Sequence, residues 1–128
     1  MSGMTRYDKI TSFKDLVIWK RSIDLVEKIY ELTKAFPKEE TYGLTSQIRR
    51  CSVSVPSNIA EGFSRGHKNE YKQFLFISIG SCSELVTQLT IAARLGYLSE
   101  NESDILIDEA DQISKMTMSL IKKLTASN

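Results

Sequence analysis

Two cysteines, two prolines, six glycines and one histidine are all that 128 residues hold of the types that most often mark metal sites, staples or tight turns. Cys51 and Cys82 stand far apart, without Cys-x-x-Cys spacing. That excludes a disulfide framework and a zinc knuckle, and both read as small buried apolar residues of a protein kept in the reducing cytoplasm. A lone His67 excludes any paired-histidine metal centre. The di-iron bundle pattern needs Glu-x-x-His twice. Here Glu61 is followed at that spacing by Ser64, and Glu84 by Thr87. Glycine-rich phosphate loops and a Gly-x-Ser-x-Gly elbow are missing too. The chain is expected to be a non-enzyme without cofactor or metal. Glu61 and Glu84 are formal candidates for an acid–base pair; the simpler role is as internal partners of Arg49 or Arg50.

No sign of charge dominates. Seventeen Lys and Arg against sixteen Asp and Glu leave a net charge of +1, which by itself predicts no strongly charged partner. With 41% hydrophobic and 26% charged residues, the composition is that of a soluble globular domain. The first eleven residues are polar and charged and lack the apolar core of a signal peptide. The run from Phe74 to Ala93 carries few charges but holds Ser78, Ser81, Ser83, Glu84, Thr87, Gln88 and Thr90. It is expected to be a bundle helix rather than a membrane span. One domain over residues 1–128 is expected, with residues 1–12 as a flexible arm.

What is present is helical periodicity, with no competing strand-like alternation. Four segments are expected. The first runs from about Asp15 to Phe36 and stops at Pro37. The second runs from Gly43 to Phe63, with a kink near Ser52 where Pro56 removes a hydrogen bond and Gly62 and Gly66 at a fraying end. The third runs from Lys68 to Gly96, a left-handed cap, and the fourth from Ser99, in capping-box spacing with Glu102, to Leu124. Short connections make this an all-α, antiparallel up-down-up-down four-helix bundle.

The apolar faces bear on assembly. The last segment carries one stripe of Ile105, Ala110, Ile113, Met116, Thr117, Leu120, Ile121 and Leu124. The first carries two: Leu16, Trp19, Ile23, Val26 and Tyr30, then Ile18, Leu25, Ile29, Leu32 and Phe36. Together they span roughly 200°, about twice what a core-facing helix needs. A monomeric bundle would leave one of them wet, so a homo-oligomer is expected to cover it.

In the second segment Gln47, Arg50, Ser54, Asn58 and Glu61 fall on one narrow arc beside the apolar stripe Leu44, Ile48, Cys51, Val55 and Ile59. A polar seam in a buried helix is costly unless each group is partnered. The third segment offers Gly80, Ser81, Ser83 and Glu84. A structural seam of Gln47, Arg49, Arg50, Ser54, Asn58, Glu61, Ser81 and Glu84 is therefore expected, with Glu84 paired to Arg49 or Arg50.

Antiparallel packing also sorts the charges by end. Arg6, Lys9, Lys14, Lys20, Arg21, Arg65, Lys68, Lys72, Lys122 and Lys123 gather at one end against Asp8, Asp15, Asp24, Glu61 and Glu70. The other end gathers Glu31, Glu39, Glu40, Glu100, Glu102, Asp104, Asp108 and Glu109 against Lys34, Lys38 and Arg94. A solvated surface explains this as well as a phosphate-attracting face does. His67 is a solvated turn residue or a phosphate contact beside Arg65 and Lys68.

Several motifs occur in a fixed order. They are Phe13-Lys14-Asp15-Leu16 with Trp19, Phe36-Pro37, Gly43-Leu44, Gln47-Ile48-Arg49-Arg50, and Ser54-Val55-Pro56-Ser57-Asn58-Ile59-Ala60-Glu61-Gly62. Gly80-Ser81 with Glu84-Leu85, and Leu95-Gly96-Tyr97-Leu98, complete the series. Over nearly its whole length the chain resembles the bacterial four-helix-bundle family of proteins encoded in intervening sequences of large-subunit ribosomal RNA genes. That family includes the accessory proteins of diversity-generating retroelements. The resemblance implies a bundle assembled into a homopentameric ring. For the retroelement members it also implies binding to nucleic acid and to a reverse transcriptase.

Two functions follow. In one, an oligomeric accessory factor grips RNA or DNA without sequence specificity through its basic end, using Lys14, Arg21, Arg65, His67, Lys68, Lys72 and Lys123. In the other, the ring is structural or binds a protein, with no nucleic-acid contact. Few aromatics accompany the basic cluster, which disfavours base stacking there.

Overall fold

The computed structural model describes residues 10–127, and among them every regular element is helical. Ile10 packs against the core, and Ser12 caps a 3-10 turn at Phe13–Asp15, its hydroxyl accepting the Lys14 N–H. Leu16 is extended, so α1 begins later than its charge pattern suggests and spans Val17–Thr33. A turn through Phe36 and Pro37 leads into a second 3-10 turn, Lys38–Glu40. Helix α2 (Leu44–Ser64) continues as one element across Pro56, whose missing N–H leaves the Ser52 carbonyl without its intrahelical donor. Helices α3 (Lys68–Arg94) and α4 (Glu100–Ala126) complete the fold.

The ends are set by local chemistry. Gly66 and Gly96 take φ of +74° and +82°, the left-handed region that ends a helix cheaply only in glycine. At the start of α4, the Ser99 hydroxyl accepts the Glu102 N–H at 3.0 Å and the Glu102 carboxylate accepts the Ser99 N–H at 2.9 Å. The expected capping box is complete.

The helices pack in cyclic order, each against its two neighbours, and all neighbours are antiparallel. Ser54 meets Ser81 and Val55 meets Ser78 across α2 and α3. Arg49 reaches back to Thr33, and Lys68 at the start of α3 meets Ser127 beyond α4. The core is Ile18, Leu25 and Ile29 from α1, Ile48, Val55 and Ile59 from α2, Leu75, Leu85 and Leu89 from α3, and Leu106, Ile113 and Ile121 from α4. On α4 the buried register falls on Leu106 rather than Ile105, which is 52% exposed. Ser103 shares that register, and Ala110, Ile113, Thr117 and Ile121 of the expected stripe are buried as expected.

Gly62 does not mark a fraying end. It is buried inside α2, and a Cβ there would lie 2.7 Å from the Phe74 Cβ and 3.2 Å from the Tyr71 carbonyl oxygen. The glycine lets α2 and α3 approach closely.

Candidate nucleic-acid interface and polar seam

The α2–α3 turn carries Arg65 and His67, the first turns of α3 carry Lys68 and Lys72, and α4 ends beside them with Lys123. The 3-10 turn bearing Lys14 packs on α2, so the expected basic cluster does share one end. Its charges are partly answered within the chain. Arg65 donates to Glu61 at 2.9 Å, stands 3.5 Å from Glu70, and lies over the Phe74 ring. The Lys68 ammonium donates to the Ser127 carbonyl. Among the described residues, Lys14, His67 and Lys72 form no ion pair.

Arg21 stands apart from this cluster. It sits on the α1–α4 flank, where its fork meets Glu109 at 2.9 and 2.7 Å. Its Nη2 also donates to Gln112 and its Nη1 to the Met116 sulfur. The hydrogen bond from Glu109 raises the Arg21 pKa further, and the same bond holds the Glu109 carboxyl below its ordinary range.

The polar seam differs from expectation in depth. Only Ser81 is buried; Arg49, Ser54 and Asn58 are half-buried, and Gln47, Arg50, Glu61 and Glu84 are exposed. The core takes the stripe of Ile48, Cys51, Val55 and Ile59, which leaves the polar arc at the rim between α2 and α3. There it lines an open groove of about 580 Å³ with Tyr42, Ile77 and Gln88. At its centre the Ser54 hydroxyl donates to the Cys51 carbonyl and accepts from the Ser81 hydroxyl, the Cys51 thiol donates to the Ser81 carbonyl, and the Asn58 amide to the Ser54 carbonyl.

The expected pairing of Glu84 with Arg49 or Arg50 is not made within the chain. Arg49 turns instead toward α1, donating to Thr33 Oγ1 at 2.9 Å and stacking over the Tyr30 ring at 4.7 Å. Glu84 accepts a long hydrogen bond from Gln88 and interacts with the Cys51 thiol, and among the described residues Arg50 has no ion pair. Glu61 belongs with Arg65, one helical turn on.

Among the described residues two apolar flanks stay open. Trp19, Ile23 and Val26 of the first α1 stripe are half-buried and line a groove against Val53, Pro56 and Ala60 of α2. The outer face of α3 leaves Phe76, Ile77 and Ile91 exposed. Gly80 lies on this face and nothing approaches within 4 Å of where its Cβ would be. By length and composition α3 would suffice to cross a membrane. In the bundle its inner face holds Ser78, Ser81 and Gln88.

Sequence reasoning missed a second basic site. Lys34, Lys38, Arg49 and Arg50 share a groove between the end of α1 and the start of α2. The charges were visible, but the turn at Pro37 that brings 34 and 38 beside 49 and 50 was not. Among the described residues, no three His, Cys, Asp or Glu side chains group as a metal site.

No curated protein matches the chain. The fold is similar to the crystal structure of a protein of unknown function from the S23 ribosomal protein family of Bacteroides thetaiotaomicron VPI-5482, with a TM-score of 0.77. That likeness covers 83% of this chain and 99% of the other, at 21% identity. Residues 14–119 match the model of the 23S rRNA-intervening sequence proteins, and the chain belongs to that family.

Proposed function

We propose that the protein is a non-catalytic, oligomeric accessory factor of the cytoplasm. It binds RNA or DNA, without sequence specificity, at the end of the bundle that carries Lys14, Arg65, His67, Lys68, Lys72 and Lys123. The observation that carries the assembly is the pair of open apolar flanks, one between α1 and α2 and one on the outside of α3. Two different patches favour head-to-tail contact, which closes into a ring when the rotation allows. A pentamer is the ring the family resemblance implies.

A ring presents the basic end once per subunit, so modest phosphate contacts add through multivalency. Binding of this kind depends on released counterions and weakens steeply with salt. Polarisation titrations of labelled duplex DNA and duplex RNA at low salt test it. Reversing Arg65 and Lys68 to Glu is expected to abolish binding and leave assembly intact, while Arg94→Glu at the far end does little. No binding to either duplex below about 10⁻⁴ M contradicts the reading.

A second reading draws on the internal neutralisation of Arg65 by Glu61 and Glu70. In it the ring binds a protein, such as a reverse transcriptase, and touches no nucleic acid. The same titrations separate the two.

A further inference from the structure

The groove between α1 and α2 at the far end of the bundle has the makings of an anion site. It encloses about 440 Å³ and is lined by four cationic side chains and no carboxylate. A pocket of that size is in the range used for small ligands. Glu31 pairs with one of the four, Lys34, which leaves Lys38, Arg49 and Arg50 as the groove's cations without an ion pair among the described residues. Glu40 accepts the Leu44 N–H and the Tyr97 hydroxyl.

Arg49 is held in position by groups that do not cancel its charge. Its Nε donates to Thr33 Oγ1, its Nη2 reaches the Tyr30 carbonyl at 3.4 Å, and its plane lies over the Tyr30 ring. Its Nη1 has no protein acceptor. A fixed guanidinium without a carboxylate suits a phosphate, which it can meet edge-on. Arg50 is exposed beside it without an ion pair.

Helix α2 starts in the same groove. Glu40 takes the Leu44 N–H, while the N–H groups of Thr45 and Ser46 lie in the first turn, where no intrahelical acceptor exists. Such a terminus attracts anions. Thr45 lines the groove and is 8% exposed.

The rim adds an aromatic surface. Tyr42 is 97% exposed, on the short connection before α2, and borders both this groove and the α2–α3 seam. A ring so placed offers a stacking platform for a base.

We propose that this groove binds one nucleotide per chain, its phosphate between Arg49, Arg50 and the start of α2, and its base against Tyr42. The site is distinct from the duplex-binding end and stands or falls separately from it. Its nucleotide is either free in solution or one unit of a single strand, and the same chemistry recognises both.

Calorimetric titration of the intact protein with AMP, adenosine and inorganic phosphate tests this. One AMP site per chain is expected, with phosphate weaker and adenosine weakest. Reversing Lys38 and Arg50 to Glu, both exposed and remote from the core, is expected to weaken AMP by about tenfold or more. Tyr42→Ala is expected to weaken AMP and leave phosphate unchanged. An eight-nucleotide single strand binding more tightly than AMP assigns the site to strands, and equal affinities assign it to free nucleotides. The proposal is overturned if AMP shows no saturable binding up to about 10 mM, beyond even a weak millimolar site. Full AMP affinity in the double reversal overturns it as well. So does Tyr42→Ala with AMP binding intact, which leaves only a phosphate site. Melting curves of the variants establish that they are folded, and duplex binding is measured in parallel so that the two sites fail independently.

Discussion

The Ser54 and Ser81 hydroxyls meet at 2.7 Å across the middle of α2 and α3, Ser54 accepting from Ser81 because its own hydrogen goes to the Cys51 carbonyl. One residue pair thus fixes both the spacing and the register of the longest helix contact. Small side chains let the backbones approach, and each oxygen is used: the Ser54 carbonyl accepts Asn58, and the Ser81 carbonyl accepts the Cys51 thiol. Ser81→Leu is expected to force the helices apart at a cost of about 1–3 kcal/mol, the usual penalty for overpacking. Ser81→Ala, which loses a hydrogen bond but keeps the spacing, is expected to cost about 1 kcal/mol. Chemical denaturation of the two variants checks the order.

Gly62 and Gly80 make a matched pair of opposite sign. A methyl group at 62 meets Phe74 and Tyr71, whereas at 80 it meets nothing. Gly62→Ala is expected to destabilise by more than 1 kcal/mol. Within a single chain, Gly80→Ala is expected to stabilise by up to about 1 kcal/mol through helix propensity. If Gly80 lies against a neighbouring subunit, the same change weakens assembly. Melting and oligomer mass, measured together, resolve the two effects.

The Arg21–Glu109 fork ties α1 to α4 and has a pH signature. Glu109 is held below the ordinary carboxylate range by its bond to Arg21. Its contribution is therefore present above the unfolded value, about pH 4.3, and is lost as pH falls through the lower folded value. Glu109→Gln is expected to cost on the order of 1 kcal/mol at neutral pH. The same variant should flatten the acid side of the stability profile. A wild-type acid limb in the variant would show that the fork contributes nothing.

Burial raises the thiol pKa of Cys51 to about 12 and of Cys82 to about 11. Both stay protonated at neutral pH and face the core. Neither is expected to react with a thiol reagent at pH 8 in the folded protein, and both should react in denaturant. Rapid labelling of native protein would mean that the bundle opens far more often than its packing suggests.

Helix number, order, antiparallel packing, the Ser99–Glu102 box and the Gly96 cap were all legible in the sequence, because each rests on local spacing. Misplaced features concerned depth and choice of partner. At the start of α4 Leu106 rather than Ile105 enters the core, and on α2 the apolar stripe is buried as expected while the polar arc beside it lies at the rim. The Glu84 partner was misread because Thr33 and Tyr30 of α1 offered Arg49 a nearer site. The groove at the start of α2 was not legible at all. It needs the turn at Pro37 and the 3-10 turn after it, which place residues far apart in sequence around one cavity.

That the single chain is an incomplete unit is the claim on which the proposed function depends. Its most direct test is native mass spectrometry, or light scattering, of the wild-type protein at micromolar concentration. The expected result is a homogeneous species of five times the 14.5-kDa chain mass, reduced to smaller species when Ile23 and Ile77, one on each open flank, are changed to Glu. A stable wild-type monomer would contradict the account.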